Sequence, residues 1–164
     1  MAKYVEGITS PQVPDSTKIV CPRCNSTLLY LSSTLDDPND IVRDLIFAAL
    51  DITITGGSIQ GLVALCHNCG NEFVPLWYLF DEGAIVSDAV TMSNLDAGTA
   101  NLLVDLYMIP LEGTDFGALK YHVIKSHTAA TPTVITLDTA STDDSENGAW
   151  MLTNILPVGL TLAS

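Results

Sequence analysis

Two stretches, Cys21-Pro22-Arg23-Cys24 and Cys66-His67-Asn68-Cys69-Gly70, decide the fold of this 164-residue sequence. They contain all four cysteines of the chain, as two CxxC pairs with residues 25–65 between them. The tight turn of a CxxC motif brings its two sulfurs close together, and zinc binds four thiolates at the corners of a tetrahedron. The sequence therefore predicts one zinc site, with the ligands Cys21, Cys24, Cys66 and Cys69.

The residue that follows each pair is typical of a metal-binding turn. Asn25 follows the first pair and Gly70 follows the second, and these two residue types tolerate a left-handed backbone most readily. Such a conformation lets the chain reverse after the second ligand, so that backbone amides in the turn can donate hydrogen bonds to the sulfurs. Short segments on both sides of each pair predict flanking strands.

The CPxC and CxxCGxxF patterns resemble the two knuckles of zinc-ribbon and rubredoxin-like proteins over residues 18–80. The resemblance implies a structural metal, because four thiolate ligands leave no open position for water or substrate. His67 lies inside the second knuckle, and we expect its side chain to face solvent. The segment between the knuckles is longer than in a simple ribbon and includes a predicted helix, so the resemblance does not carry a nucleic-acid role with it.

Three other uses of the cysteines remain open. An iron site of rubredoxin type has the same ligands. In thioredoxin-like proteins a redox CxxC begins a helix, whereas Cys24 is predicted to enter a strand. Disulfides belong to oxidising compartments, and Met1 to Glu6 lack the apolar core of a signal peptide. The spacing of the pairs favours zinc over these alternatives.

The composition is that of an acidic, folded protein. Hydrophobic residues make up 48% of the chain and charged residues 15%, with a net charge of −13. This balance excludes intrinsic disorder, and the apolar surplus predicts a subunit that is buried against neighbours. Six basic residues cannot form a broad phosphate-binding patch, which disfavours nucleic acid and anionic membranes as direct partners. We expect a virion or cytoplasmic location, without secretion through a signal peptide.

We divide the chain into an extended N-terminal arm at residues 1–17, a zinc-ribbon-like module at 18–82 and a mostly β region at 83–164. Within the module, a capping pattern at Asp37-Pro38 followed by apolar residues at helical spacing predicts a helix that ends near Leu50.

The third part is predicted to contain one helix and several strands. Ser93 and Asp96 form a capping-box-like pair, which predicts a helix that ends at Tyr107. Strands are predicted at Tyr121–Lys125, Thr133–Thr139 and Ala149–Leu156. The predicted fold class is therefore α+β, with a zinc-ribbon-like N-terminal half that carries an inserted helix and a mostly β C-terminal half.

Two further groups of residues do not predict a metal site. His122 and His127 are five residues apart, which places them on opposite faces of a strand, and neither belongs to an HExxH motif. Asp143, Ser145 and Asn147 alternate oxygen-bearing side chains but lack the later bidentate glutamate of a calcium loop.

An aromatic cluster follows the second knuckle. Without basic residues nearby, it predicts a core or a subunit interface rather than a platform for stacking bases. The interface candidates are Trp77, Tyr78 and Phe80.

These features predict a non-enzymatic, zinc-stabilised assembly protein. The acidic body, the extended arm and the Thr/Ala/Asp-rich β segments are similar in style to bacteriophage virion accessory proteins, such as head decoration (cement) proteins and connector or tail adaptors. This resemblance implies protein partners, either copies of the chain or capsid and tail subunits. A zinc-ribbon adaptor in transcription or replication, working through protein contacts, is one alternative, and a rubredoxin-like electron carrier or thiol redox protein is another.

Overall fold

A computed structural model of the chain describes residues 20–34, 46–47, 50–112, 119–140, 147–156 and 159–163. These residues are mostly β, and their strands are numbered in chain order. The strands are β1 Leu29–Thr34, β2 Ile52–Ile54, β3 Ser58–Cys66, β4 Glu72–Val86, β5 Ala89–Met92, β6 Leu95–Ala97, β7 Tyr107–Pro110, β8 Lys120–His127, β9 Val134–Leu137, β10 Asn147–Thr153 and β11 Thr161–Leu162.

Six of the strands close into an antiparallel barrel. Their order is β4-β10-β7-β8-β9-β5, and β5 pairs back with β4 to complete the circle. Outside the circle, β3 pairs with β4 and β1 pairs with β3, so a sheet extension leaves the barrel along β4. β11 runs parallel to β8, and β2 forms a separate two-stranded sheet with β6.

The barrel and the extension share β4. One edge of this 15-residue strand pairs first with β3 and then with β5, while its other edge pairs with β10. From Trp77 onward its side chains alternate between the interior and the surface, because a strand has a side-chain period of two. Trp77 and Trp150, which are 0% and 3% exposed, belong to the hydrophobic cluster that fills the barrel.

A β-bulge at Pro75 interrupts the pairing of β3 with β4. The register shifts between Leu62 and Ala64, and proline is suited to such a position because it has no N–H to donate to the ladder. The fully buried Asn154 side chain satisfies the backbone on β4, donating to the Pro75 carbonyl at 3.1 Å and accepting from the Trp77 N–H at 3.0 Å.

The buried carboxylate of Asp81 fixes the course of the chain after β4. It accepts hydrogen bonds from the backbone N–H groups of Glu82, Asn94 and Leu95 and from the Asn94 side-chain amide, at 2.8 to 3.1 Å. A buried carboxylate needs such donors because it has lost its hydration. The boundary predicted between residues 82 and 83 therefore falls inside β4, beside a carboxylate that connects this strand to the start of β6.

The α+β prediction is wrong, because the described residues are mostly β and no complete helix is found among them. The helix predicted from Ser93 to Tyr107 is replaced by β6, a series of turns and the start of β7. Asn101 and Asp105 have φ angles of 64° and 67°, which a right-handed helix does not contain. Most of the helix predicted before Leu50, and the whole N-terminal arm, lie outside the described residues.

The strands predicted near the C-terminus are found at the predicted positions. The three segments predicted there correspond to β8, β9 and β10, each within a few residues of its predicted ends. Among the described residues, no helix has the length and apolar character that a membrane crossing requires.

Candidate metal centre

The two CxxC motifs meet at the end of the sheet extension. Their four sulfurs all lie within 4.8 Å of one another. Across the two knuckles, the Sγ atoms of Cys21 and Cys69 are 3.6 Å apart, and those of Cys24 and Cys66 are 3.5 Å apart. The second knuckle is the turn between β3 and β4, and the first knuckle leads into β1. β1 pairs with β3 in a register that places Leu29 opposite Cys66, and this pairing brings the two knuckles together.

These distances suit metal coordination and exclude disulfides. Tetrahedral coordination with a metal–sulfur distance of about 2.3 Å puts neighbouring sulfurs about 3.8 Å apart, which is close to the two cross-knuckle distances. A disulfide needs about 2.05 Å between its sulfurs, and all four cysteines are free. The four cysteines form a cluster that could hold one metal ion, consistent with a zinc-binding knuckle.

The two knuckles have the same backbone hydrogen bonds. In each knuckle the first cysteine donates its N–H to the carbonyl five residues later, Ser26 or Asn71, at 2.9 and 2.8 Å. In each, the carbonyl of the first cysteine accepts from the N–H four residues later, Asn25 or Gly70, at 2.8 and 2.9 Å. Asn25 and Gly70 have φ angles of 60° and 75°, so the predicted left-handed conformation is confirmed at both turns.

Backbone N–H groups in the turns point at the sulfurs. The Arg23 N–H donates to Cys21 Sγ at 3.4 Å, and the Cys69 N–H donates to Cys66 Sγ at 3.5 Å. The N–H groups of Ser26 and Asn71 donate in the same way to Cys24 and Cys69. Each ligand thus has a backbone donor, which stabilises the thiolate form that a metal requires.

Two asparagines of the second knuckle also donate to sulfurs of the first. The Asn68 amide lies 3.5 Å from Cys24 Sγ, and the Asn71 amide lies 3.9 Å from Cys21 Sγ. Neither asparagine was among the site residues predicted from the sequence. An amide side chain within or directly after a CxxC motif is the signal that could have indicated them.

The donors favour the thiolates unequally. The amide of Asn68, with the backbone N–H of Ser26, lowers the pKa of Cys24 to about 6. The N–H of Asn71 acts to lower the pKa of Cys69, but desolvation and the neighbouring thiols outweigh it and raise that pKa to about 12. Four thiolates at this spacing repel one another, and a divalent metal ion would supply the positive charge that offsets this repulsion.

A small core surrounds the sulfurs and is separate from the barrel interior. It contains four buried residues, Cys21, Ala64, Cys66 and Phe73, with Cys24 and Leu29 packed against them. Two of its four buried members are thus candidate metal ligands. This end of the molecule has few apolar contacts of its own, so a metal ion held by the four cysteines would have a structural role.

The histidines lie apart from the cysteine cluster. His67 is exposed as predicted, and its ring packs edge-on against Tyr30 at 5.2 Å between centroids. His122 is buried, with Nδ1 3.2 Å from the Thr139 hydroxyl. His127 accepts the Leu103 N–H at Nε2, at 3.0 Å. In the part of the chain that the structure describes, the four cysteines are the only group of three or more potential ligands found together.

The structure separates the three aromatic interface candidates. Trp77 is fully buried in the barrel, so its side chain is core and not surface. Tyr78 and Phe80 are half-buried, and their rings stack with centroids 6.5 Å apart. An interface role for Tyr78 and Phe80 remains a prediction.

An exposed apolar surface lies beside the metal centre. Leu28 and Tyr30 are 66% and 64% exposed, and Tyr30 lies directly across the β1–β3 pair from the exposed Leu65. Single exposed apolar residues are common, but these are neighbours on one face of the sheet extension.

Comparisons with family models, with curated proteins and with solved structures give no match to this chain.

Proposed function

We propose that the chain is a non-enzymatic subunit of a larger protein assembly, and that a zinc ion at Cys21, Cys24, Cys66 and Cys69 holds one end of its sheet rigid. The observation that carries this proposal is the set of four sulfurs within 4.8 Å of one another. Because all four tetrahedral positions are taken by protein thiolates, the metal has no open position for substrate.

The surface supports assembly with other proteins. The apolar side chains of Leu28, Tyr30 and Leu65 face solvent together, and the net charge of −13 makes a phosphate backbone an unfavourable partner. A neighbouring protein subunit would remove this apolar surface from water. A virion component, either a head decoration protein or a connector or tail adaptor, is the kind of subunit that we propose.

Elemental analysis of the freshly purified protein tests the metal. We expect about one zinc per chain and a colourless solution, because zinc has no d–d absorption. A red protein that contains iron would replace the proposal with a rubredoxin-like electron carrier. A protein with no bound metal, even after refolding with zinc, would contradict the structural role of the cysteines.

Native mass measurement over a wide concentration range tests the assembly. We expect discrete oligomers that persist on dilution, and weaker association for Tyr30→Ser than for the control Val86→Ser. Val86 is 68% exposed at the far end of β4, so the control loses a similarly exposed apolar side chain away from the metal centre. A monomer at every concentration would contradict self-assembly, and retention on DNA at about 150 mM salt would favour the zinc-ribbon adaptor in transcription or replication.

A further inference from the structure

We propose that the Asn71 side-chain amide is a positioning residue of the metal centre, and that its hydrogen bond to Cys21 determines how tightly the site holds its metal. The inference rests on the proposed function, because it assumes that the four cysteines bind a metal ion.

Asn71 connects three of the four ligands. Its carbonyl accepts the Cys66 N–H at 2.8 Å, and its backbone N–H donates to Cys69. Its side-chain amide reaches across to the other knuckle and lies 3.9 Å from Cys21 Sγ. Two of these contacts are made by the backbone, so a substitution of the side chain tests the third contact by itself.

Burial makes this amide important to Cys21. Asn71 is 5% exposed and Cys21 is 0% exposed, so water cannot easily replace the amide as a donor to the sulfur. Cys24 receives a similar bond from Asn68, but Asn68 is exposed, and there solvent can substitute for the lost donor. We therefore expect the buried amide of Asn71 to contribute more to metal affinity than the exposed amide of Asn68.

The two knuckles have matching backbone hydrogen bonds but differ in the side chain at the position of Asn71. Ser26 is the first-knuckle counterpart of Asn71, since each lies five residues after its first cysteine and accepts that cysteine's N–H. The Ser26 hydroxyl accepts the N–H of Leu28 at 3.1 Å, a contact within its own turn. Of these two counterparts, only Asn71 donates a side-chain hydrogen bond to the other knuckle.

The test compares Asn71→Leu, Asn71→Asp and Asn68→Leu with the wild-type chain. Leucine has a similar size but no donor, and aspartate keeps the shape but replaces the donor with a negative charge. Asn101→Asp is the control, because it adds the same charge outside the cluster and keeps the oxygen that accepts the His127 N–H. Zinc affinity is measured by competition with a chelator, and Co²⁺-loaded protein is examined by absorption spectroscopy.

We expect zinc affinity to fall about 10- to 100-fold in Asn71→Leu, the usual cost of removing a group that orients a metal ligand. We expect a larger loss in Asn71→Asp, a smaller loss in Asn68→Leu and no change in Asn101→Asp. The sulfur-to-cobalt charge-transfer band should move to longer wavelength in Asn71→Leu, because a sulfur without its donor holds its electrons less tightly. A merely structural role would leave this band in place.

The outcomes separate the two proposals. Wild-type affinity and an unshifted cobalt band in both Asn71 variants would overturn this inference and leave the zinc site standing. A wild-type chain that binds neither zinc nor cobalt would overturn both. If Asn71→Leu fails to fold, the isosteric Asn71→Asp decides, and unchanged zinc affinity in that variant would overturn the inference.

Discussion

Replacing Cys66 by serine should release the metal and unfold the end of the sheet extension while the barrel stays folded. Ordering residues 20–29 costs on the order of 10–20 kcal/mol at about 1–2 kcal/mol per residue. Apart from the ligands, the small core offers the burial of Phe73 and Ala64, which contributes about 3 kcal/mol. Structural zinc contributes on the order of 10 kcal/mol. The two gains together match the cost, and without the metal this segment is not stable.

Hydrogen exchange read by mass spectrometry, with and without a chelator, measures the effect segment by segment. In Cys66→Ser we expect residues 20–29 to lose their protection, while amides of β7 to β10 keep theirs. Tryptophan fluorescence should remain that of the folded protein, because Trp77 and Trp150 both lie in the barrel core. The control is His67→Ser, which changes an exposed residue of the same knuckle that is not a ligand.

Two results would refute this reasoning. Full protection of residues 20–29 in Cys66→Ser would show that the metal does not hold this segment in place. Loss of the barrel's protection together with that of the knuckles would show that the two cores unfold as one unit.

Two further predictions concern the barrel. Gly83→Ala should destabilise the protein by about 1–3 kcal/mol in urea unfolding, because the added Cβ would lie 2.6 Å from Val90 Cγ1. Gly148→Ala should reduce the free energy of unfolding by less, because its Cβ would meet nothing closer than 3.8 Å. Burial lowers the pKa of His127, whose Nε2 accepts the Leu103 N–H. The folded state then binds fewer protons than the unfolded state, so its stability should be constant above pH about 6.5 and fall as the pH drops below that value. A urea midpoint that is flat from pH 7 to 5 would contradict the second prediction, and equal losses in the two glycine variants would contradict the first.

The metal centre could be predicted from sequence because its signals are local. The spacing of Cys66 and Cys69, and the glycine that follows them, are set by the geometry of a single turn. That turn forms in the same way wherever the rest of the chain goes. The long-range part of the prediction, that two such turns meet, followed from the need for four ligands. The cross-knuckle amides of Asn68 and Asn71 depend on how the turns face each other, which spacing does not determine.

In two segments the structure differs from what the local sequence suggests, because contacts with distant parts of the chain outweigh local preference. Asp81 and Gly83 have the composition of a turn, yet they lie within β4, because donors from the following loop satisfy the carboxylate and the barrel has no space for a side chain at Gly83. The leucine spacing after Ser93 is helical, but Leu103 and Leu106 enter the core from turns with left-handed residues. Tertiary contacts overrode local preference in both segments.

β4 runs from the knuckle end into the barrel, and beyond the bulge at Pro75 its side chains alternate regularly, so the two ends are coupled through the number of residues in the alternating part. A single-residue insertion between Trp77 and Asp81 would turn the metal end over relative to the barrel and point its small core outward. A two-residue insertion would restore the facing and lengthen the arm that carries the ion. Natural length variation in this strand should therefore come in pairs of residues.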